Sequence, residues 1–325
     1  MEYLFFIFIL FIVFILVFLY QGLIRSKANP IIKILPLSLF LIIPLWAFFN
    51  PKDNKSTNIL KPITNFVEEN ISPSVQSNEL EKIIQSELES ADEAYGIAIK
   101  NLKTNEYYYY NNEREFDTAS LYKLWVMGAV YEEIEKGNLS LEQNIGFEAS
   151  TINERLDLAS ESAEITEGFV GNTVEGALER MITISDNYSA HILYLTIGWS
   201  TVGDFIEKYG FSNSSTDTLT TTPDDILNYF EKLYKGEIVS QNASSEMMEI
   251  LKRQQLNDRI PKYIPENIKT AHKTGELGAV KHDAGIVFNP KGDYIIVLMS
   301  KTGSQVAAAE IEAKISEKVW NYFNK

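Results

Sequence analysis

Thr118-Ala119-Ser120-Leu121-Tyr122-Lys123 is the stretch around which this 325-residue chain is organised. It places Ser120 and Lys123 three residues apart at the start of the apolar run 121–130, and on a helix such residues share one face, one turn apart. A serine hydroxyl is a poor nucleophile until a base removes its proton, and a partly desolvated lysine can be that base. The spacing, which occurs once in the sequence, predicts a lysine-activated serine; the alternative is an ordinary helix start with a solvated lysine.

Two further motifs follow in order, Ser185-Asp186-Asn187 and Lys273-Thr274-Gly275. Together with Ser-x-x-Lys they form the signature of class A β-lactamases and penicillin-binding proteins. From about residue 78 to the C-terminus the chain therefore resembles the penicillin-recognising serine hydrolases, and the class A β-lactamase branch most closely.

The resemblance implies a role for each motif residue. Ser120 would be acylated, Lys123 would be its base, and Ser185 would relay a proton to the leaving nitrogen. Lys273 would bind a substrate carboxylate and keep the local field positive. The catalytic residues are thus expected to be Ser120, Lys123, Ser185 and Lys273, with no metal and no cofactor.

The same resemblance implies a substrate-binding set. Asn187 would hold the amide of the substrate's side chain, and Thr274 would bind the carboxylate together with Lys273. The backbone N–H groups of Ser120 and Glu276 would form the oxyanion hole. The substrate-binding residues are expected to be Asn187, Thr274, Gly275 and Glu276.

One expected part is missing from the sequence. Class A β-lactamases carry a Glu-x-x-Leu-Asn segment after Ser-Asp-Asn, and its Glu activates the water that frees the acyl-enzyme. No such segment lies between Asn187 and Thr222. Asp224-x-x-Leu227-Asn228 imitates it, but Asp224 also fits as an acid at a helix N-terminus that Thr222 caps and Pro223 begins. We predict the structural role for Asp224; weaker candidates are Asp204, Glu207 and Asp217.

Other residues near the motifs have ordinary interpretations. A second Lys-Thr-Gly, at 301–303, falls where a strand gives way to the last helix, so the copy at Lys273 is the predicted functional one. The three histidines do not form a metal set, and structural roles are predicted for them. Arg259 is predicted to lie in the floor of the crevice as a structural residue.

Composition narrows the class of protein. The formal net charge of −15 argues against nucleic acid or an anionic membrane face as a partner, because both attract basic patches. The absence of cysteine excludes disulfides and thiol catalysis.

The N-terminal segment predicts membrane attachment. Residues 3–20 form an uncharged apolar run of nearly the length that spans a bilayer, and 31–49 is a second candidate. Basic residues between the runs predict a hairpin with its loop in the cytoplasm and the rest of the chain outside it. The alternative is a single span. Residues 50–77 are predicted to be a tether.

Patterning predicts an α+β protein. Residues 139–169 are predicted to be mostly loop and short helix, and Lys273-Thr274-Gly275 to be the turn between two strands. Helices are predicted over 79–91, 121–130, 174–184, 188–197, 201–209, 223–235, 244–255 and 307–322, and strands over 95–102, 106–110, 268–273, 282–288 and 294–300.

The family resemblance implies a β-lactamase/transpeptidase-like fold for residues 78–325. An antiparallel sheet lobe (78–118 and 268–325) and a helical lobe (119–267) would flank the active-site crevice. The resemblance implies a serine hydrolase that opens β-lactam amides, and the apolar N-terminal runs predict that it is anchored in the membrane with this region outside the cytoplasm. A D-Ala-D-Ala carboxypeptidase or penicillin-binding protein with slow deacylation, or a β-lactam sensor without turnover, stays open as the alternative, with a peptidoglycan peptide in place of the β-lactam.

Overall fold

The computed structural model describes residues 75–89, 91, 94–156 and 163–325, all within one compact unit, Ser72–Lys325. In these residues the strands are β1 (Val75–Gln76), β2 (Ala94–Asn101), β3 (Glu106–Tyr110), β4 (Phe116–Asp117), β5 (Asn144–Glu148), β6 (Phe169–Thr173), β7 (Thr220–Thr221), β8 (Thr270–Leu277), β9 (Val280–Val287) and β10 (Tyr294–Lys301).

The helices alternate with these strands, and most of them lie between β4 and β8. They are α1 (Asn78–Leu88), α2 (Tyr122–Glu135), α3 (Ala149–Arg155), α4 (Val174–Thr183), α5 (Asn187–Ile197), α6 (Trp199–Tyr209), α7 (Pro223–Tyr234), α8 (Gln241–Leu251) and α9 (Gln305–Phe323). A 3₁₀ turn, Ala119–Leu121, leads directly into α2.

Strands from both ends of the chain meet in one six-stranded sheet, in the order β1-β3-β2-β10-β9-β8. The pairs from β3 to β8 are antiparallel and the register runs without a bulge, Lys273 opposite Ala284 and Glu276 opposite Lys281. The predicted α+β fold is confirmed. The strand order of the sheet ends at β8 on one side, so β8 is an edge strand.

Alternation along the strands gives the sheet two buried faces. Ile97 and Ile99 of β2 pack with apolar residues of α1 and α9, whereas Ala98 joins a larger cluster that includes Trp125 of α2. The helices between β4 and β8 therefore cover one face, and the two terminal helices cover the other.

Local signals set the helix starts as predicted. Thr222 caps α7 by accepting a bond from the Asp225 N–H at 3.3 Å, and Pro223 is the first helical residue. Asp224 and Asp225 lie in the first turn, where the helix dipole favours acids.

Two features differ from the predicted sheet. β1 runs parallel to β3, and its residues Val75–Gln76 fall within the segment that the sequence predicts to be the tether. β5 and β6 form a hairpin-like pair inside the region predicted to be loop and short helix. Gly146 and Gly171 oppose each other in that pair, and glycine weakens the sequence signal for a strand.

Among the described residues, no helix is both long enough and apolar enough to cross a bilayer. The spans predicted over 3–20 and 31–49, and most of the tether predicted over 50–77, lie outside the described residues.

Candidate active site

Ser120 lies in the 3₁₀ turn at the N-terminal end of α2 and is half-buried. Ala119, just before it, has φ +43°, in the left-handed region that a non-glycine residue enters only under strain. Two backbone bonds hold the turn: the Thr118 N–H donates to the Leu219 carbonyl at 2.7 Å, and the Leu121 N–H to the Thr118 carbonyl at 3.0 Å. The surrounding chain therefore fixes an unfavourable conformation that presents Ser120.

Lys123 is fully buried in the first turn of α2. Its ammonium nitrogen lies 2.6 Å from the Ser185 carbonyl, 3.2 Å from Ser185 Oγ and 2.8 Å from Asn187 Oδ1. These three contacts join the first motif to the second.

The second motif occupies the corner between α4 and α5. Asp186 caps α5 by accepting a bond from the Ser189 N–H at 2.7 Å, and Arg180 donates to the same carboxylate at 3.1 Å. Ser185 has φ +58°, so this corner is strained as well. The cap directs the Asp186 side chain to the end of α5, whereas its neighbours Ser185 and Asn187 contact Lys123.

Lys273 brings in the third motif. It is fully buried, and its Nζ lies 2.9 Å from Ser185 Oγ and 2.7 Å from the Thr274 carbonyl. The prediction that Lys273-Thr274-Gly275 forms a turn is wrong: the motif lies inside β8, and the chain turns at Gly278, where φ is +53°. A glycine at 275 is compatible with a turn, but here it allows β8 to lie close to the 3₁₀ turn that carries Ser120.

The Ser185 hydroxyl is thus shared by two buried amines. Burial lowers the pKa of Lys123 to about 8, although the charges of Asp186 and Glu164 raise it. Burial, with the charge of Lys123 next in size, lowers the pKa of Lys273 well below its usual range. Two ammonium groups in such a place disfavour each other, so a neutral amine is available near neutral pH.

Gly275 lets β8 approach the 3₁₀ turn. A Cβ atom at this position would lie 3.3 Å from the Thr118 carbonyl oxygen, 3.3 Å from Leu121 Cγ and 3.4 Å from Ala119 Cβ. The edge strand and the turn that carries Ser120 are therefore in direct contact.

The register of β8 decides where its backbone groups point. Along an antiparallel strand, residues alternate between bonding the neighbouring strand and facing away from it. The Phe288 N–H donates to the Lys269 carbonyl at 3.0 Å, so Lys269 faces β9. Glu276 lies an odd number of residues further on in an unbroken register, and its N–H therefore faces the open edge of the sheet.

The side chain of Glu276 pairs with two buried cations. Its Oε1 accepts from Arg259 Nη2 at 2.6 Å and pairs with Lys281 at 2.7 Å. Arg259 is fully buried and also donates to the His282 carbonyl at 3.0 Å. These contacts give Arg259 the structural place that the sequence predicted.

His272, inside β8, and His282, inside β9, are both bonded within the fold. His272 Nδ1 lies 2.8 Å from Asp283 Oδ1, and His282 Nε2 lies 2.8 Å from the Asp117 carbonyl. Both rings are buried, which agrees with the structural roles predicted for them.

Asp224 has the structural role that the sequence predicted. It lies in the first turn of α7, where it accepts a bond from Asn228 Nδ2 at 3.2 Å. Its charge is one cause of the raised pKa of Tyr109 in β3, after burial. Three strands separate β3 from β8 in the sheet, which places Asp224 away from the third motif.

Two titratable residues near the site were not singled out from the sequence as site residues. Glu164, exposed, lies with its Oε1 3.5 Å from Asn187 Nδ2. His191 lies one helical turn after Asn187 in α5, and the charge of Lys123 helps to lower its pKa. The i, i+4 spacing from Asn187 was a usable signal for His191; nothing in the sequence pattern indicated Glu164.

Comparison with known proteins gives consistent matches over this region. The model of the beta-lactamase enzyme family matches residues 78–323. Beta-lactamase VEB-1 of Pseudomonas aeruginosa is 26% identical over 282 residues, covering 76% of this chain and 91% of that protein. Extended-spectrum beta-lactamase PER-1, also of Pseudomonas aeruginosa, is 23% identical over 270 residues, covering 75% and 86% respectively.

Solved structures show the same fold. A mutant of PBP-A in an acyl-enzyme complex with penicillin G superposes with a TM-score of 0.70 at 23% identity, covering 78% of this chain and 99% of that one. A beta-lactamase from Sphaerobacter thermophilus superposes with a TM-score of 0.67 at 24% identity, covering 75% and 96%.

Proposed function

Because the chain belongs to the beta-lactamase enzyme family and is a serine hydrolase, we propose that it opens β-lactam amides through an acyl-enzyme formed on Ser120. The observation that carries the proposal is the Ser185 hydroxyl, held 3.2 Å from Lys123 Nζ and 2.9 Å from Lys273 Nζ. Ser120 precedes Lys123 by three residues, so this arrangement would supply Ser120 with a base and a proton relay.

In the acylation step, neutral Lys123 takes the proton of Ser120, and Oγ forms a bond to the amide carbon. The C–N bond then breaks, and the nitrogen receives a proton through the Ser185 hydroxyl. A pKa of about 8 suits Lys123 to this exchange, because the amine both accepts and returns a proton near neutral pH.

Substrate binding uses the groups around this centre. Lys273 and Thr274 would bind the substrate carboxylate, and Asn187 would donate its amide to the substrate's side chain. The N–H groups of Ser120 and Glu276 would stabilise the developing oxyanion. The outward direction of the Glu276 N–H along β8 supports this role.

The second candidate is a D-Ala-D-Ala peptidase or penicillin-binding protein with slow deacylation, or a β-lactam sensor. One observation favours it: no Glu-x-x-Leu-Asn segment lies between Asn187 and Thr222. Asp224, which imitates that segment, lies in the first turn of α7, away from the third motif. The substrate would then be a peptidoglycan peptide, which shares an amide near a carboxylate with β-lactams.

We also propose that the enzyme is anchored by its N-terminal apolar runs with residues 78–325 outside the cytoplasm. The support is the sequence of 3–20 and 31–49 and the basic residues between them. Protease added to intact cells should digest this region; complete protection in intact cells, with digestion after lysis, contradicts the topology.

The activity is tested by following the intact mass of the full-length protein mixed with a simple penicillin. The expected result is an adduct of one penicillin mass that forms on the wild type and not on Ser120→Ala. Unchanged melting of Ser120→Ala would show that its fold is intact. If Ser120→Ala still labels, the assignment of the nucleophile is wrong.

The fate of the adduct separates the two candidates. Decay within seconds to minutes indicates a β-lactamase, because the ester must be hydrolysed for turnover. Persistence for hours indicates the peptidase or the sensor.

A further inference from the structure

Glu164 lies beside Asn187, at the opposite end of its side-chain amide from Lys123. Glu164 Oε1 is 3.5 Å from Asn187 Nδ2, and Asn187 Oδ1 is 2.8 Å from the Lys123 ammonium. An ammonium group only donates hydrogen bonds, so the amide atom that faces Lys123 must be the oxygen. The amide nitrogen of Asn187 is therefore directed toward Glu164.

Asn187 can bind Glu164 and a substrate at the same time. An amide nitrogen carries two N–H groups. Glu164 accepts from one of them, which leaves the second for the substrate's side-chain amide, the role proposed for Asn187. Two acceptors on one such nitrogen lie roughly 5–6 Å apart at ordinary hydrogen-bond lengths. A substrate amide oxygen bound by Asn187 would therefore have the Glu164 carboxylate as a near neighbour.

Hydrogen bonds from α3 and α5 hold the backbone next to Glu164. The Ile165 N–H donates to the Tyr188 hydroxyl at 3.0 Å, and the Ile165 carbonyl lies 2.9 Å from the same hydroxyl. Asn153 Nδ2 donates to that carbonyl at 2.8 Å, and Asn153 Oδ1 lies 3.0 Å from the Tyr188 hydroxyl. Because Tyr188 directly follows Asn187 in α5, one helix positions both Asn187 and the backbone beside Glu164.

The charge of Glu164 is not offset by a basic neighbour. In the part of the chain that the structure describes, no basic side chain pairs with it, and the sequence between Arg155 and Arg180 contains acids but no lysine, arginine or histidine. Asp186 differs, because it caps α5 and accepts from Arg180 at 3.1 Å. Glu164 is also exposed, so its charge is accessible to a ligand.

The charge of Glu164 acts on the catalytic centre. Burial lowers the pKa of Lys123, and the charges of Asp186 and then Glu164 raise it. A substrate held by the Asn187 amide nitrogen would lie closer to Glu164 than Lys123 does, because Lys123 contacts the other end of that amide. A charged group on this substrate would therefore interact with the carboxylate more strongly than Lys123 does.

We propose that Glu164 is a specificity-determining residue that favours substrates with an ammonium group next to the side-chain amide and disfavours substrates with a carboxylate there. This inference rests on the proposed function. It concerns the acylation step, so it applies to a β-lactam and to a peptide alike.

The expected preference is moderate, because the carboxylate is exposed. Attraction or repulsion between charges in contact with water changes a rate or an affinity by roughly threefold. Attraction of one substituent and repulsion of the other therefore combine to a difference of about 10-fold. Salt screens such interactions, so the preference should shrink at about 1 M salt, where the screening length is about 3 Å.

Three penicillins test this proposal, because they share a phenylacetyl side chain and differ at its α-carbon. Ampicillin has an amino group there, penicillin G a hydrogen and carbenicillin a carboxylate. At about pH 6.5 an α-amino group is protonated, since its pKa in peptides is about 7.7. Full-length protein is mixed in excess with equal amounts of the three, and the loss of each is measured. The relative losses give the ratio of acylation rates, whether or not the adducts later decay.

Glu164→Gln is the decisive variant, because its amide oxygen can still accept from Asn187 Nδ2 while the charge is gone. The wild type should consume ampicillin about 10-fold faster than carbenicillin, and this ratio should fall about 10-fold in Glu164→Gln and reverse in Glu164→Lys. Penicillin G, which is neutral at this position, is the internal reference. Glu167→Gln is the matched control, since Glu167 is exposed in the same loop; its ratio should stay within about twofold of the wild-type value. Melting curves check that the variants are folded.

Two results would overturn the role of Glu164. The first is a wild-type ratio of ampicillin to carbenicillin in Glu164→Gln; if all three penicillins also slow together, Glu164 only holds Asn187 in place. The second is an equal fall of the ratio in Glu167→Gln, which would assign the preference to the loop as a whole. The proposed acylation on Ser120 survives both. A wild type that consumes none of the three penicillins and forms no adduct refutes the proposed function and the role of Glu164 together.

Discussion

The same tripeptide, Lys-Thr-Gly, occurs twice in this chain in two different settings. Lys273 is fully buried in the edge strand β8, and its amine reaches the Ser185 hydroxyl. Lys301 is exposed at the last residue of β10, an interior strand of the sheet. The function of the tripeptide therefore depends on its position at the sheet edge and on the residues that it contacts there. The three residues alone do not determine it.

Substitutions of the two lysines should differ most in their effect on the rate of penicillin adduct formation. Lys273→Ala removes the amine that contacts Ser185 and would bind the substrate carboxylate, so penicillin adduct formation should slow by roughly 100-fold or more. Lys301→Ala removes an exposed side chain, and formation should stay within about twofold of the wild-type rate. Intact mass measures both. The reverse result would mean that the second copy is the functional one.

The glycines should give a smaller difference. In Gly275→Ala the new Cβ meets the Thr118 carbonyl at 3.3 Å, and this carbonyl can move only with the turn that carries Ser120. Adduct formation should slow about tenfold, because small displacements of a nucleophile are costly. Gly303→Ala is the matched control, since a Cβ there meets nothing within 4 Å. Equal rates in the two variants would refute the close-approach role of Gly275.

Substitutions of the two threonines should have the smallest effects, one on thermal stability and the other on the rate of adduct formation. The Thr302 hydroxyl accepts from the Ser304 N–H at 2.8 Å and donates to the Ser304 carbonyl at 3.0 Å, just before α9. Thr302→Val should lower Tm by about 2–4 °C, for a loss near 1 kcal/mol, without changing adduct formation.

Thr274→Val should do the opposite and slow adduct formation about fivefold, the effect of one lost hydrogen bond. A slower reaction in Thr302→Val with none in Thr274→Val would show that the roles of the two copies had been confused.

Much of the candidate site could be predicted because short-range spacing controls it. Ser120 and Lys123 lie one helical turn apart, and the Ser185 motif follows directly from the end of α4. The structure joins Lys123, Ser185, Asn187 and Lys273 by hydrogen bonds, and the roles assigned to them stay predictions.

Two of the errors came from glycines, because a glycine in a sequence can indicate either a turn or a close approach within a strand. Gly275 looked like a turn residue, although it lies within a strand. Gly146 and Gly171 hid the β5–β6 pair, in which the Phe169 ring covers both positions that lack side chains. A glycine signals special geometry without saying which kind, and tertiary contacts decide it.

His191 and Glu164 were missed for different reasons. The helical spacing from Asn187 to His191 is visible in the sequence, but the influence of the Lys123 charge on its pKa depends on the three-dimensional structure. Glu164 reaches Asn187 from a loop 23 residues earlier, and no local pattern anticipates such a contact.

The alternation along β8 constrains how this enzyme can change in length. A single residue inserted between Lys273 and Glu276 would turn the Glu276 N–H toward β9 and remove it from the crevice. An insertion after Leu277, in the turn at Gly278, leaves the parity of the site unchanged. The turn can therefore accept insertions and deletions. The segment from Lys273 to Glu276 can accept substitutions, but its length must stay the same.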